Sequence, residues 1–285
     1  MEKIPVYKIG ASSSQDYIEV MELQKRSAYD TSVPHKHAYV EIFLFTQGAG
    51  KHDIDFQSYP IHSNSIHFVF PNQIHKVARE LDTFGHVILL SKEYFEGLDY
   101  DLFIQFFHAY YLWPELKLVN EKFDQVLKLV DEIKRELVEE KTYFQQVVKG
   151  KLSELFHLLL RYNPFNEQEK RSSKDFKLYM DLLILIEDHF KNHQAVSFFS
   201  DSLKTSTRHL NHVCKEFNDS TCSVLVNDRL LLEAKKMLLY SDRSIKDILY
   251  ELNFTDPAYF NRFFKSKTGY SPTAFIAQFA KKYNQ

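Results

Sequence analysis

The chain has 285 residues, 44% hydrophobic and 26% charged, with a formal net charge of −2, enough for two domains with full cores and unlike a disordered or fibrous protein. Two cysteines, Cys214 and Cys222, speak against a disulfide framework and fit a reducing cytoplasm. The longest apolar runs, such as 182–186 and 87–90, fall far short of the roughly 20 residues of a membrane helix, and the first ten residues carry no apolar signal core, so neither a membrane partner nor secretion is expected. Charge is uneven: from Arg171 onward there are 17 Lys and Arg against 13 Asp and Glu, leaving 19 against 25 before it. The basic half agrees with a phosphate-bearing partner without establishing one.

The first 95 or so residues read as strand. Val40, Ile42 and Leu44 alternate, Gly48-Ala49-Gly50 supplies a turn, and 51–56 alternates again; 66–70, closed by Pro71, and 86–90 are two further strands. Short strands at this spacing predict an antiparallel barrel or jelly roll. Residues 92–113 form an aromatic-rich, mostly helical bridge. Two apolar stripes follow, Phe123, Val126, Leu127, Val130, Ile133 and Leu137, then Val148, Leu152, Leu155, Phe156 and Leu159. They predict a helical hairpin whose seam packs on its own barrel or pairs with a second copy.

Residues 163–175 mix Pro, Asn, Ser and charges without an apolar period, which reads as a linker between a domain at 1–162 and one at 176–285. After it the chain reads as all helix. Residues 244–275 carry the densest signals: Ser244 with Asp247 makes a capping box, and Ile245, Ile248, Leu249 and Leu252 share one helix face. Asn253 fits a left-handed helix end, Asp256-Pro257 opens a second helix, Gly269 ends it, and Ser271-Pro272 opens another. On the second helix Phe260, Phe263 and Phe264 face inward, and Ala258, Asn261, Arg262 and Lys265 outward. This is a helix-turn-helix.

A weaker version stands fifty residues earlier. Ser206 caps its second helix, Leu210, Val213, Cys214 and Phe217 face inward, and Arg208, Asn211, His212 and Lys215 outward. Any soluble helix exposes such residues, but two copies at equal spacing point to a shared task. A helix fits the major groove of double-stranded DNA, where Arg pairs with guanine and Asn with adenine. Lys215 and Lys265, a turn further on, are placed for phosphates.

Residues 176–280 resemble the DNA-binding domain of the AraC-type transcriptional regulators, the pattern of whose second unit appears as Ile248, Asn253-Phe254, Asp256, Tyr259-Phe260, Arg262, Phe264-Lys265 and Gly269-Tyr270-Ser271-Pro272. The chain departs from that pattern at Leu249 for Ala and Asn253 for Gly, and in the first unit at Ser200 for Ala and 219–222 for Gly-x-Ser-Pro. His35-x-His37-x3-Glu41-x6-Gly48 resembles the first cupin motif and Pro71-x3-His75 part of the second, with Gln73 where cupin enzymes have Gly.

The resemblance implies an α+β chain of two domains: a cupin-like β-barrel with an α-helical hairpin, and an all-α domain with two helix-turn-helix units. It implies a cytoplasmic homodimer that binds operator DNA, its two units entering successive major-groove segments about 34 Å apart, with a small-molecule effector and RNA polymerase as further partners. On this reading His35, His37, Glu41 and His75 hold an organic effector, with no metal, other cofactor or catalytic residue; a purely structural role for any single one of these histidines is the other reading. Three imidazoles and a carboxylate also suit a metal, and the alternative is a metal-dependent cupin enzyme with a helical appendage.

Overall fold

The computed structural model describes residues 6–7, 17–23, 33–91, 93–94, 98–111, 113–163, 174–192 and 195–283. They divide into two compact units that part between residues 166 and 167. Of the segment read as a linker, 164–173 lies outside the described residues; Asn163 still caps the preceding helix, and Lys174 and Asp175 already begin the next.

The first unit holds β1 (Val6–Tyr7), β2 (Ile18–Leu23), β3 (Lys36–His37), β4 (Tyr39–Gln47), β5 (Gly50–Ile54), β6 (Gln57–Ile61), β7 (Ser65–Val69), β8 (His75–Arg79), β9 (Phe84–Ser91) and β10 (Glu115–Lys117). Five strands pair antiparallel in the order β10-β7-β4-β9-β2, three in the order β6-β5-β8, and β1 runs parallel to β3. The first seven positions of β4 are all buried, because both faces of its sheet are covered. Tyr39, Phe43 and Phe45 face the small sheet and pack with Ile54, Ile61 and Val77. Val40, Ile42 and Leu44 face the other way, toward the helices α1 (Tyr100–Tyr111), α2 (Asn120–Glu139) and α3 (Phe144–Tyr162).

The helical hairpin therefore packs on its own sheet. Phe123, Val126, Val130 and Ile133 of α2 and Val148, Leu152, Leu155, Phe156 and Leu159 of α3 are buried, with Leu127 and Leu137 half-buried at the edge of the seam. Strands β1, β2, β3, β6, β8 and β10 lay outside the sequence reading; β1, β3 and β10 are two or three residues long, β6 and β8 leave polar residues facing outward, and β2 is half-buried over most of its length.

The second unit holds α4 (Lys174–His189), a single 3₁₀ turn (Phe190–Asn192), α5 (Val196–Ser202), α6 (Thr207–Asn218), α7 (Cys222–Tyr240), α8 (Ile245–Glu251), α9 (Pro257–Thr268) and α10 (Pro272–Tyr283). Helix α7 runs through its middle, burying Leu230, Leu231, Ala234, Met237, Leu238 and Leu239 around its circumference, as a helix packed on several sides must. Arg229 fixes it to α4, holding Glu187 through two contacts of 2.7 Å and lying 4.0 Å over the Phe190 ring. No described helix is long and apolar enough to cross a membrane.

Candidate functional site

In the helical unit the repeat is visible element by element. Helices α5 and α8 each have 7 residues, and α6 and α9 each have 12. The turns between them carry one left-handed residue apiece, Lys204 at φ 52° and Asn253 at φ 57°. The second helices begin on Ser206, which accepts the His209 N–H, and Asp256, which accepts the Ala258 N–H. They end on left-handed residues, Asp219 at φ 47° and Gly269 at φ 79°, whose N–H groups reach the carbonyls of Lys215 and Lys265. The Ser244–Asp247 capping box is present in full.

The inward residues are Leu210, Val213 and Cys214 in one copy and Phe260 and Phe264 in the other, all at 0% exposure, with Phe217 and Phe263 half-buried. Cys214 and Cys222 are both buried free thiols. Arg208, His212, Lys215, Ala258, Asn261, Arg262 and Lys265 are exposed. Their few contacts are local: His212 lies 3.9 Å from Glu216, Arg262 3.7 Å from Asp256, and Asn261 donates to the Pro257 carbonyl at 2.9 Å. Asn211 departs from the expected outward face. It is half-buried, and its Oδ1 accepts the Cys222 N–H at 3.0 Å, serving the start of α7 where the Thr221 side chain makes no cap. Tyr259, quoted in the sequence only as part of the Tyr259-Phe260 pair, is 52% exposed beside Ala258.

In the barrel unit the four cupin-motif residues come together. His35 and His75 exchange both backbone hydrogen bonds, at 3.0 and 2.9 Å, and their rings lie 4.1 Å apart. The turn before His75 is pinned by Gln73, whose Oε1 accepts the Phe70 N–H at 2.8 Å and whose Nε2 donates to Asp55 at 3.2 Å. Glu41, on the inner face of β4, places Oε2 3.2 Å from His37 Nε2 and 3.3 Å from His75 Nε2, and those two nitrogens are 3.1 Å apart. One ligand atom from each of His35, His37, Glu41 and His75 lies within 4.8 Å of the others.

The cluster continues beyond the motif. His75 Nδ1 is 3.2 Å from His52 Nε2, His52 Nδ1 is 3.2 Å from His67 Nδ1, and His67 Nε2 is 3.9 Å from Glu115. Burial, followed by neighbouring histidines, holds His52 and His75 well below the usual imidazole range; burial, followed by Lys117 and His62, brings His67 down to about 3. All three are neutral, the form that offers a nitrogen lone pair. His52 and His67 were legible only as histidines on strands; the signal that singles out His52 is its inward register on β5, where His52 and Ile54 alternate with Lys51 and Asp53.

In this structure the four side chains close on one another. Their exposure is 0–1%, and the facing polar atoms of His37, Glu41 and His75 stand 3.1–3.3 Å apart, leaving no space between those three. A groove of about 470 Å³ lies elsewhere, along β2 and the hairpin, lined by Tyr17, Ile18, Tyr94, Lys134, Phe144 and Lys149 among others.

Two family models match the chain, an AraC-like ligand binding domain over residues 21–160 and a helix-turn-helix domain over 199–278. The HTH-type transcriptional activator RhaS of Enterobacter sp. (strain 638) is 26% identical over 243 residues, covering 84% of this chain and 85% of its own. RhaS of Escherichia coli (strain K12 / DH10B) is 27% identical over 247 residues, with the same coverage. Among solved structures, wild-type ToxT from Vibrio cholerae strain SCE256, bound to an unsaturated fatty acid, aligns with a TM-score of 0.41 at 17% identity over 92% of this chain and 94% of that chain.

Proposed function

The chain belongs to the AraC-type family of transcriptional regulators, and from that membership we propose that it binds operator DNA through α6 and α9 under the control of a ligand sensed by its barrel. The observation that carries this is the duplication: two helix-turn-helix units of matching length whose second helices bury one face and expose the other. Arg262 and Asn261 read bases in the second unit, with Ala258 leaving room for a close approach. Arg208 and His212 read bases in the first unit. Lys215 and Lys265 hold phosphates. Asn211 is left to the fold.

The sensing centre is the group His35, His37, Glu41 and His75. A boundary between sensing and reading domains near 163–175, action as a homodimer, contact with RNA polymerase and residence in the cytoplasm, where the DNA is, complete the proposal. The chain is not an enzyme on this reading, in keeping with the transcriptional activators it is similar to.

Fragments of genomic DNA selected on the full-length protein, followed by titration of the best fragment at several salt concentrations, test the proposal. The expected result is a shared sequence motif bound at least 1,000-fold more tightly than random DNA, within the span usual for specific readers. Uniform affinity for all fragments would overturn it. Sedimentation velocity on the same preparation tests the dimer.

A further inference from the structure

The chain's two thiols meet inside the first helix-turn-helix unit. Cys214 lies on the inward face of α6 and Cys222 is the first residue of α7; both are free and at 0% exposure. Asn211, one turn before Cys214, accepts the Cys222 N–H at 3.0 Å and so holds the start of α7 against this side of α6. The two thiols hydrogen-bond each other. Either cysteine alone would serve as a small apolar filler; the fold sets both side by side.

Their surroundings make the two sulfurs unequal. Cys222 stands at the N-terminus of a helix of 19 residues, where unsatisfied N–H groups favour an anion. The Cys214 S–H beside it holds the Cys222 thiol below the usual range, and the same hydrogen bond, followed by burial, pushes Cys214 up. One sulfur ionises first and its neighbour keeps the proton, the arrangement that suits a dithiol to become a disulfide. Tyr179 of α4 points to the same chemistry. It is 5% exposed, stacks on Phe217 at 5.5 Å, and brings beside Cys214 a phenol oxygen with no hydrogen-bond partner. A sulfenic oxygen on the pair would supply the acceptor this phenol lacks.

We propose that Cys214 and Cys222 form a reversible disulfide within the chain when a hydroperoxide reaches them, and that this bond is a redox switch on the first reading helix. The way in is the bend at 219–221, where Asp219 is exposed and Thr221 makes no side-chain cap, so the first turn of α7 is the end that opens. The Cys222 thiolate attacks one peroxide oxygen, the O–O bond breaks, and the leaving hydroxide takes a proton from solvent. The Cys214 sulfur then attacks the sulfenic sulfur, and its proton departs with the displaced hydroxide as a second water. The peroxide gains the two electrons that the thiols lose.

The new bond draws α6 and the start of α7 together and disturbs the Asn211 contact, which shifts Arg208, His212 and Lys215. The second unit has Phe264 and Pro272 at the matching positions, so α9 carries no such switch. In a reducing cytoplasm the dithiol is the resting form and the disulfide a transient signal. The effect on DNA rests on the reading of α6 as a base reader; the disulfide itself does not.

Reduced full-length protein is treated with hydrogen peroxide, and its mass and its affinity for the selected operator fragment are measured before and after dithiothreitol. The expected result is a loss of two hydrogens per chain, a drop in operator affinity on the order of 10-fold, and recovery of both with dithiothreitol. Methionine oxidation adds oxygen instead and needs its own reductases for reversal. Cys214→Ser and Cys222→Ser should bind the operator as reduced wild type does and ignore peroxide. Since a buried substitution can loosen the unit, the wild-type measurements decide alone. Added oxygens or a chain-to-chain disulfide in place of the internal bond overturn the thiol pair, and an internal disulfide with unchanged operator affinity overturns the switch. Reduced protein without any sequence preference sinks the regulator reading, while the mass still decides the disulfide.

Discussion

The Asn211 carboxamide oxygen accepts the backbone N–H of Cys222 at 3.0 Å, while its repeat partner Asn261 turns back onto its own helix and donates to the Pro257 carbonyl. One pattern position thus serves two ends. In the first unit Thr221 makes no side-chain cap for α7, so a residue on the preceding helix satisfies the exposed N–H; in the second, Ser271 Oγ accepts the Ala274 N–H and Asn261 is spared. Asn211→Ala should therefore cost about 1 kcal/mol of stability and leave sequence preference intact. Urea unfolding followed by circular dichroism and a binding-site selection check both halves; a shifted base preference would return Asn211 to the readers.

Arg262 and Lys265 share the exposed face of α9 but should fail differently. Arg262→Ala should weaken specific binding by about 1–3 kcal/mol and relax preference at one base pair. Lys265→Ala should weaken all sequences alike and lower the slope of log K against log salt by about one. Competition titrations across salt and single-base operator variants separate the two, and an unchanged slope in Lys265→Ala would remove it from the phosphate contacts.

The helical unit was legible because its signals are local. Capping residues, left-handed helix ends and i, i+4 stripes each act within one or two turns, and Ser244, Asn253, Asp256 and Gly269 all do in the structure what their chemistry dictates. The Asn211 contact was not legible because its partner Cys222 belongs to the next helix and no helical period encodes it. The barrel was legible in outline, through the alternation of β4 and β5, but its polar interior was not. His52 and His67 come from strands of different sheets, and only the stacking of those sheets brings His52 to His75 and His67. The motif spacing brought four residues together; the two behind them are a product of tertiary register.

The C-caps of α6 and α9 offer a test of backbone strain free of packing. Asp219 and Gly269 occupy the same left-handed position, and a Cβ built on Gly269 meets nothing within 4 Å. Any cost of Gly269→Ala is then conformational, and should be about 1 kcal/mol. The reverse exchange, Asp219→Gly, should stabilise the helical unit by roughly 0.5 kcal/mol, less because aspartate tolerates this region and glycine gains freedom in the unfolded chain. Thermal unfolding of both variants checks the signs; a neutral Gly269→Ala would mean the turn relaxes.

His67 predicts how the barrel responds to acid. It is surrounded by His52 at 3.2 Å, Glu115 at 3.9 Å, and the charges of Lys117 and His62, and burial brings its pKa down to about 3. In the unfolded chain the same imidazole titrates near 6.5. Since the folded value lies below the unfolded one, the unfolded state binds the extra proton between them. The contribution is whole above pH 6.5 and shrinks as pH falls toward 3. Going from about pH 5.5 to 4.5 should cost the wild type on the order of 1 kcal/mol more than His67→Gln, which has no proton to gain. Carboxylates titrating in the same range cancel in that difference. Equal acid slopes in the two proteins would show that burial does not hold His67 neutral in the fold.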